Sequence, residues 1–210
     1  MTGRPRIEAG GRGNHLRRVP QALTTGDLFA APPLPGGLEY HPDFVSPHEE
    51  DALLAFFATL PFREATFREY TARRRIVRFG SDYQPGTGAW DAVAPWPAPL
   101  AALRRRVAAF VGLEEEAYVF ALVTEYRPGT PIGWHRDRPQ YGRVAGVSLA
   151  GACRMRFRPN DNRHDRDAVI ALELAPRSLY LMQDEIRWQW QHSIPPTKAL
   201  RYSVTFRTRA

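Results

Sequence analysis

A chain of 210 residues, 43% of them hydrophobic, is long enough to bury the core of one domain and too apolar for a disordered protein. Its single cysteine, Cys153, excludes an internal disulfide and an all-cysteine metal cluster, and fits a reducing, cytoplasmic compartment. The net charge of +7 leaves a polyanionic partner open. Arginine carries it almost alone, since Lys198 is the one lysine among 29 basic residues.

Residues 1–35 are rich in Gly, Pro and Arg and lack periodicity, which predicts a flexible basic arm before a domain over 36–210. The start has no apolar core of the secretory kind, and no apolar run reaches the ~18 residues of a membrane span. A short strand is expected near Gly37–His41. In the helix that follows, Ser46 serves as N-cap, Pro47 as first helical residue and Glu49 as partner in a capping box. Leu53, Leu54, Phe57 and Leu60 make its apolar face.

Between about 62 and 96, aromatic residues alternate with arginines and the stretch ends in turn signals, so short strands or a hairpin with a mobile loop are expected. A second helix spans "APLAALRRRVAAFVG", with Leu100, Leu103, Val107, Phe110 and Val111 inward and Gly112 as the stop. From residue 117 the pattern is of strands: "AYVFALVTEY", "VAGVSLA", "CRMRFR", "AVIALEL", "SLYLM" and "RYSVTFR". Helices first and strands after predict an α+β fold with a closed or sandwiched β half.

The segment "GWHRDRP" places His135 and Asp137 two residues apart. On an extended segment both face the same way and can bind one metal. His192 in "WQWQHSIPP" is the better candidate for a third ligand, with His164 in the polar "NDNRHDRD" as its rival. Two histidines and a carboxylate form the facial triad of non-heme Fe(II), which leaves positions open for substrate and oxygen. In "RYSVTFR", Arg201, Ser203, Thr205 and Arg207 alternate with apolar residues. Such a face suits a dicarboxylate, because a guanidinium matches a carboxylate with two parallel bonds; an edge strand with its arginines in water is the plainer alternative. Asp184, Glu185 and Arg187 suggest an ion pair before His192.

His135-x-Asp137, then His192, then Arg201-x5-Arg207 resembles the AlkB family of Fe(II)/2-oxoglutarate dioxygenases. "PGGLEYHPDFVSPHEEDALL", "RRRIVRFGSDY", "EYRPGTPIGWHRD" and "WQHSIPPTKALRYSVTFR" extend the similarity over roughly 36–208. The resemblance implies a double-stranded β-helix, a jelly roll, with two supporting helices. His135, Asp137 and His192 would bind Fe(II). Arg201 would pair with the distal carboxylate of 2-oxoglutarate, helped by Tyr126, with Arg207 nearby to support cosubstrate binding. Thr124 and Ser203 stand where the family often has asparagine and keep hydrogen-bonding capacity. With O2 the family decarboxylates 2-oxoglutarate to succinate and hydroxylates an alkyl group on a base nitrogen; the product then falls apart to an aldehyde and the restored base. The sequence departs at Pro139, where nucleic-acid repair members carry an acidic residue against the base.

A monomeric enzyme with DNA or RNA as partner and no membrane association is therefore expected, removing alkyl damage from bases. The candidates for gripping the substrate are Tyr70, Phe79, Tyr83 and Trp90 for stacking on a flipped base, and Arg73, Arg74 and Arg75 for phosphates, all in the lid region at 62–96. Arg154, Arg156 and Arg158 alternate along one strand as a possible second phosphate track. Two other readings stay open: the same oxygenase chemistry on a protein side chain or small molecule, and a non-catalytic nucleic-acid-binding module.

Overall fold

The computed structural model describes the backbone of residues 34–67, 70–160 and 169–210, and their side chains except at 66–67 and 70–72. The proposed basic arm therefore lies almost wholly outside the described residues.

Strand β1 (Leu38–His41) leads into α1 (Pro47–Phe57). The capping box forms as expected: the Glu49 amide donates to the Ser46 hydroxyl at 3.2 Å, and the Ser46 amide donates to the Glu49 carboxylate at 2.7 Å. These bonds satisfy two of the amides that every helix start leaves orphaned. β2 (Arg63–Phe67), β3 (Tyr70–Gln84) and β4 (Ala89–Ala94) are successive antiparallel hairpin strands, so strands also precede the second helix, α2 (Ala98–Phe110). At Gly80, φ is +84°, and a Cβ there would come within 2.3 Å of the Val119 carbonyl. Only glycine suits this kink, beside which β3 changes its register against β4.

The remaining strands are β5 (Tyr118–Tyr126), β6 (Ile132–His135), β7 (Tyr141–Leu149), β8 (Cys153–Pro159), β9 (Ile170–Leu174), β10 (Ser178–Met182), β11 (Trp190–Ile194) and β12 (Arg201–Arg209). A short helix, α3 (Asp184–Gln189), precedes β11. Among the described residues they form two sheets. The larger runs β1-β10-β7-β12-β5-β3-β2 with β4 paired to β3; the smaller runs β6-β11-β8-β9. The architecture is thus α+β with two sheets and two helices from the N-terminal half.

One face of the large sheet carries Val77, Phe79, Val123, Val147, Leu179, Val204 and Phe206, and packs on α1 and α2 through Leu53, Phe57, Leu100, Leu103 and Val107. Leu54 and Leu60 join this core from its edge. Phe110 does not: it is 50% exposed, because it ends α2 and its ring lies edge-on to His41 and Phe44. The opposite face of the large sheet meets the small one. Tyr126, Val144, Tyr180 and Met182 pack there with Met155, Phe157, Leu174 and Ile194. Each side chain buried in this way contributes about 1.5–3 kcal/mol. Alternation along β12 divides its residues between the two environments. Tyr202, Val204 and Phe206 face the helices, and Arg201, Ser203, Thr205 and Arg207 face the gap between the sheets.

Candidate active site

Strands β6 and β11 pair so that His135 and His192 are direct partners across the ladder, with ring centroids 4.2 Å apart. Opposed residues of an antiparallel pair share a face. Asp137 follows just past the end of β6, and its carboxylate joins them: one ligand atom from each residue lies within 4.8 Å of the other two. His192 is thus the third member; its rival, His164, lies outside the described residues. Nδ1 of His135 is 2.9 Å from the Gly133 carbonyl and must donate to it, which leaves Nε2 as a lone-pair donor for a metal.

The protonation states suit a cation. Burial lowers both imidazoles, taking His192 down to about 3, with His135 adding to the effect. Burial would raise the Asp137 carboxyl, but Arg207, His192 and His135 outweigh it and hold the group far below its ordinary value. Near neutral pH the cluster is two neutral imidazoles and one carboxylate, the state a divalent metal requires.

The polar face of β12 supplies the neighbouring cations. β12 is a central strand between β7 and β5, so its arginines are not edge residues in water. Arg201 is 1% exposed. Its Nε donates to the Ser148 hydroxyl at 3.0 Å, and its guanidinium carbon lies 5.0 Å from the centre of the Tyr126 ring. One terminal nitrogen of Arg201 is buried with no hydrogen-bond partner. Leaving a charged donor buried and unpaired is costly, and an anion beside this nitrogen would remove that cost. Thr124 lies directly across from Ser203 on the same face. Arg207 donates to the Asp137 carboxylate at 3.2 Å and to Thr205 Oγ1 at 3.0 Å, against the rings of Phe120 and Tyr141.

The segment carrying Asp137 is clamped from both sides. Arg187 makes no ion pair with Asp184 or Glu185. It is 4% exposed and donates to the backbone carbonyls of Gly142 and Arg138, each at 2.7 Å, and to that of Tyr141. From the β3–β4 hairpin, the buried carboxylate of Asp82 accepts from the Tyr141 hydroxyl and lies 3.5 Å from a terminal nitrogen of Arg138. The same nitrogen donates to the Tyr83 carbonyl at 3.0 Å.

The expected substrate residues divide. Phe79 is 5% exposed in the helix-side core and cannot stack on a base. Arg75 lies on that same face and donates twice to Glu125, at 2.8 and 2.7 Å, so it belongs to a structural ion pair. Alternation turns its neighbour Arg74 to the other face, close enough to His135 to depress its pKa. Arg73 is exposed. Tyr83 is half-buried, edge-on to Trp90 at 5.6 Å, and Trp90 in turn meets Tyr141 at 5.4 Å. The side chain of Tyr70 lies outside the described residues. Arg156 and Arg158 stack against Trp134 at 5.1 and 4.4 Å on the outer side of the small sheet.

Sequence reading missed Ser148, Asp82 and Trp134. Ser148 carries a hydroxyl in the apolar run "VAGVSLA", which was the available signal. Asp82 and Trp134 find their partners through long-range contacts that no local pattern announces.

The chain matches the family model of the 2OG-Fe(II) oxygenase superfamily over residues 37–207. It is 27% identical to an Alkylated DNA repair protein ALKBH8 homolog of Arabidopsis thaliana over 94% of this chain and 64% of that protein. It is 36% identical to the DNA oxidative demethylase ALKBH2 of Homo sapiens over 54% of this chain and 47% of that one. The chain spans between about a quarter and two thirds of the length of the curated relatives it matches. The solved structure of OsALKBH1 superposes with a TM-score of 0.65 over 84% of this chain and 99% of that chain, at 13% identity, a likeness of fold. With the His135–Asp137–His192 cluster at its centre and a family model matched along nearly all of its described length, the chain belongs to the 2OG-Fe(II) oxygenase superfamily and, within it, to the AlkB family.

Proposed function

We propose that this chain is an Fe(II)/2-oxoglutarate-dependent dioxygenase that removes alkyl groups from bases of nucleic acid. The observation that carries the oxygenase part is the pairing of the triad with the unpartnered, buried nitrogen of Arg201. A metal cluster alone fits many proteins. A metal cluster beside a buried cation that lacks its anion fits a ligand with a carboxylate at one end and metal-binding oxygens at the other.

In this reading His135, Asp137 and His192 hold Fe(II), and Arg201 receives the distal carboxylate of 2-oxoglutarate. Tyr126, Thr124 and Ser203 line the approach, and Arg207 fixes the orientation of Asp137. When bound, Fe(II), 2-oxoglutarate and O2 together supply the oxidation of a C–H bond, with succinate and carbon dioxide as co-products. The protein positions its ligands in advance: Arg187 and Asp82 hold the Asp137 segment, and the triad lies half-buried. The two facing sheets read as the two sides of a double-stranded β-helix with the triad at its mouth. Residues 36–210 form the catalytic domain, and 62–96 its lid.

Three observations favour nucleic acid as the substrate. The chain carries a net charge of +7. Arg74 lies on the site side of β3, and Arg156 and Arg158 frame Trp134 beside the metal-bearing strands. The relatives' names point to DNA repair and DNA demethylation. Pro139 favours the second reading, a protein or small-molecule substrate, because no carboxylate stands there to meet a base. A panel of methylated DNA and RNA oligonucleotides, assayed for formaldehyde and restored base, tests the choice. Formaldehyde release with at least one methylated oligonucleotide is the expected result. Turnover of 2-oxoglutarate that no member of the panel stimulates would move the assignment to the second reading.

A further inference from the structure

Tyr180 has no part in the site as derived so far, yet it lies inside it. It stands on β10 directly opposite Gly146 of β7, and its ring lies flat on that glycine. A Cβ added at Gly146 would come within 2.1 Å of the ring's Cζ and 2.4 Å of its hydroxyl. The phenol therefore reaches across β7 toward β12. Two residues along β7, on the same face, Ser148 holds the Nε of Arg201 at 3.0 Å. Across β12 from Gly146 is Thr205, which accepts from Arg207 at 3.0 Å. The Tyr180 hydroxyl is thus delivered between the two arginines, on the path from Arg201 to the triad. Tyr180 is 5% exposed, and among the described residues its hydroxyl makes no hydrogen bond. Burial raises its pKa, and Arg201 is the charge that most opposes this rise, which fits a hydroxyl lying beside that guanidinium. The phenol keeps its proton and remains a donor.

Resting on the 2-oxoglutarate reading of this pocket, we propose that the Tyr180 hydroxyl donates a hydrogen bond to the distal carboxylate of the dicarboxylate, completing with Arg201 a receptor for which Gly146 provides the space. Gly146 then has a functional reason: any side chain there would push the phenol out of the pocket. Tyr180 is a determinant of dicarboxylate over monocarboxylate binding.

The test is calorimetric titration of Mn(II)-loaded protein, without oxygen, using two ligands. One is 2-oxoglutarate. The other is 2-oxopentanoate, which has the same chain and keto-acid end but a methyl group in place of the distal carboxylate. Tyr180→Phe removes only the hydroxyl. It is expected to weaken 2-oxoglutarate about tenfold or more, the usual loss for a hydrogen bond to a charged group, and to leave 2-oxopentanoate and Mn(II) affinity unchanged. Gly146→Ala, which displaces the ring, should give the same selective loss. Unchanged 2-oxoglutarate affinity in Tyr180→Phe, or an equal loss for both ligands, would overturn the proposal. Wild type that binds Mn(II) but no 2-oxoglutarate would instead overturn the dicarboxylate reading itself, and this inference with it.

Discussion

The two ends of the β12 polar face treat similar arginines differently. Arg207 is satisfied within the protein: Asp137, Thr205 and two aromatic rings surround it. Arg201, six positions earlier on the same face, is buried more deeply and keeps a terminal nitrogen without a partner. A protein that needed both only for stability would pair both, since a buried unpaired charge costs several kcal/mol. On the proposed function, the difference separates a positioning cation, which orients a metal ligand, from a receiving cation, which waits for an external anion. A similar division runs through β3, where Arg75 is locked to Glu125 and Arg74 is turned toward the site.

Removing the metal centre that both arginines serve has the largest expected effect. Asp137→Ala, His135→Ala or His192→Ala should abolish high-affinity Mn(II) binding in a titration, because two ligands hold a divalent cation poorly. His164→Ala should bind Mn(II) like wild type; loss there with retention in His192→Ala would reassign the third ligand.

A smaller effect separates the two ends. Arg201→Lys keeps the charge but loses the fork, and should raise the KM for 2-oxoglutarate about tenfold to a hundredfold while sparing metal affinity. Arg207→Lys should do the reverse, weakening the metal about tenfold through a poorly oriented Asp137. Identical profiles for the two variants would erase the distinction.

Acid acts on the metal-free centre through His192. Its folded pKa is depressed from 6.5 to about 3, so its contribution to stability is fully present above pH 6.5 and is lost as pH falls toward 3. Asp137, also depressed, adds its own loss at lower pH, below the ordinary carboxylate range. Urea unfolding of wild type and His192→Gln at pH 7.5, 6 and 5 should show a steeper decline for wild type. Parallel declines would mean that His192 is not the group responsible.

The smallest effects sharpen the division on β3. Arg74→Gln should flatten the salt dependence of oligonucleotide binding by about 0.7–0.9 in log–log slope. Arg75→Gln should leave that slope unchanged and lower stability by about 1 kcal/mol, as expected for a half-exposed ion pair. Equal slopes for wild type and Arg74→Gln would remove this residue from the nucleic-acid surface.

What the sequence reveals here follows from strand geometry. His135 and Asp137, and Arg201 through Arg207, are legible because a two-residue period fixes which side chains share a face. The cap of α1 is legible because Ser46 and Glu49 find each other within one helical turn. Phe79 and Arg75 mislead for the same geometric reason. "RRRIVRF" looks like one basic run, but alternation sends Arg75, Val77 and Phe79 to the helices. The partners that decide roles lie far along the chain: Glu125 for Arg75, Gly142 for Arg187, Gly146 for Tyr180. The strand order 10-7-12-5-3 of the large sheet and the packing of α3 on β7 bring them together, and no local pattern encodes either.

The most direct test of the oxygenase assignment is the release of carbon dioxide from 2-oxoglutarate by the purified protein, with Fe(II) and O2 each supplied or withheld. Release is expected to need both, to be stimulated by an alkylated oligonucleotide, and to disappear in Asp137→Ala. No release under any condition, or release that survives in Asp137→Ala, would contradict the assignment.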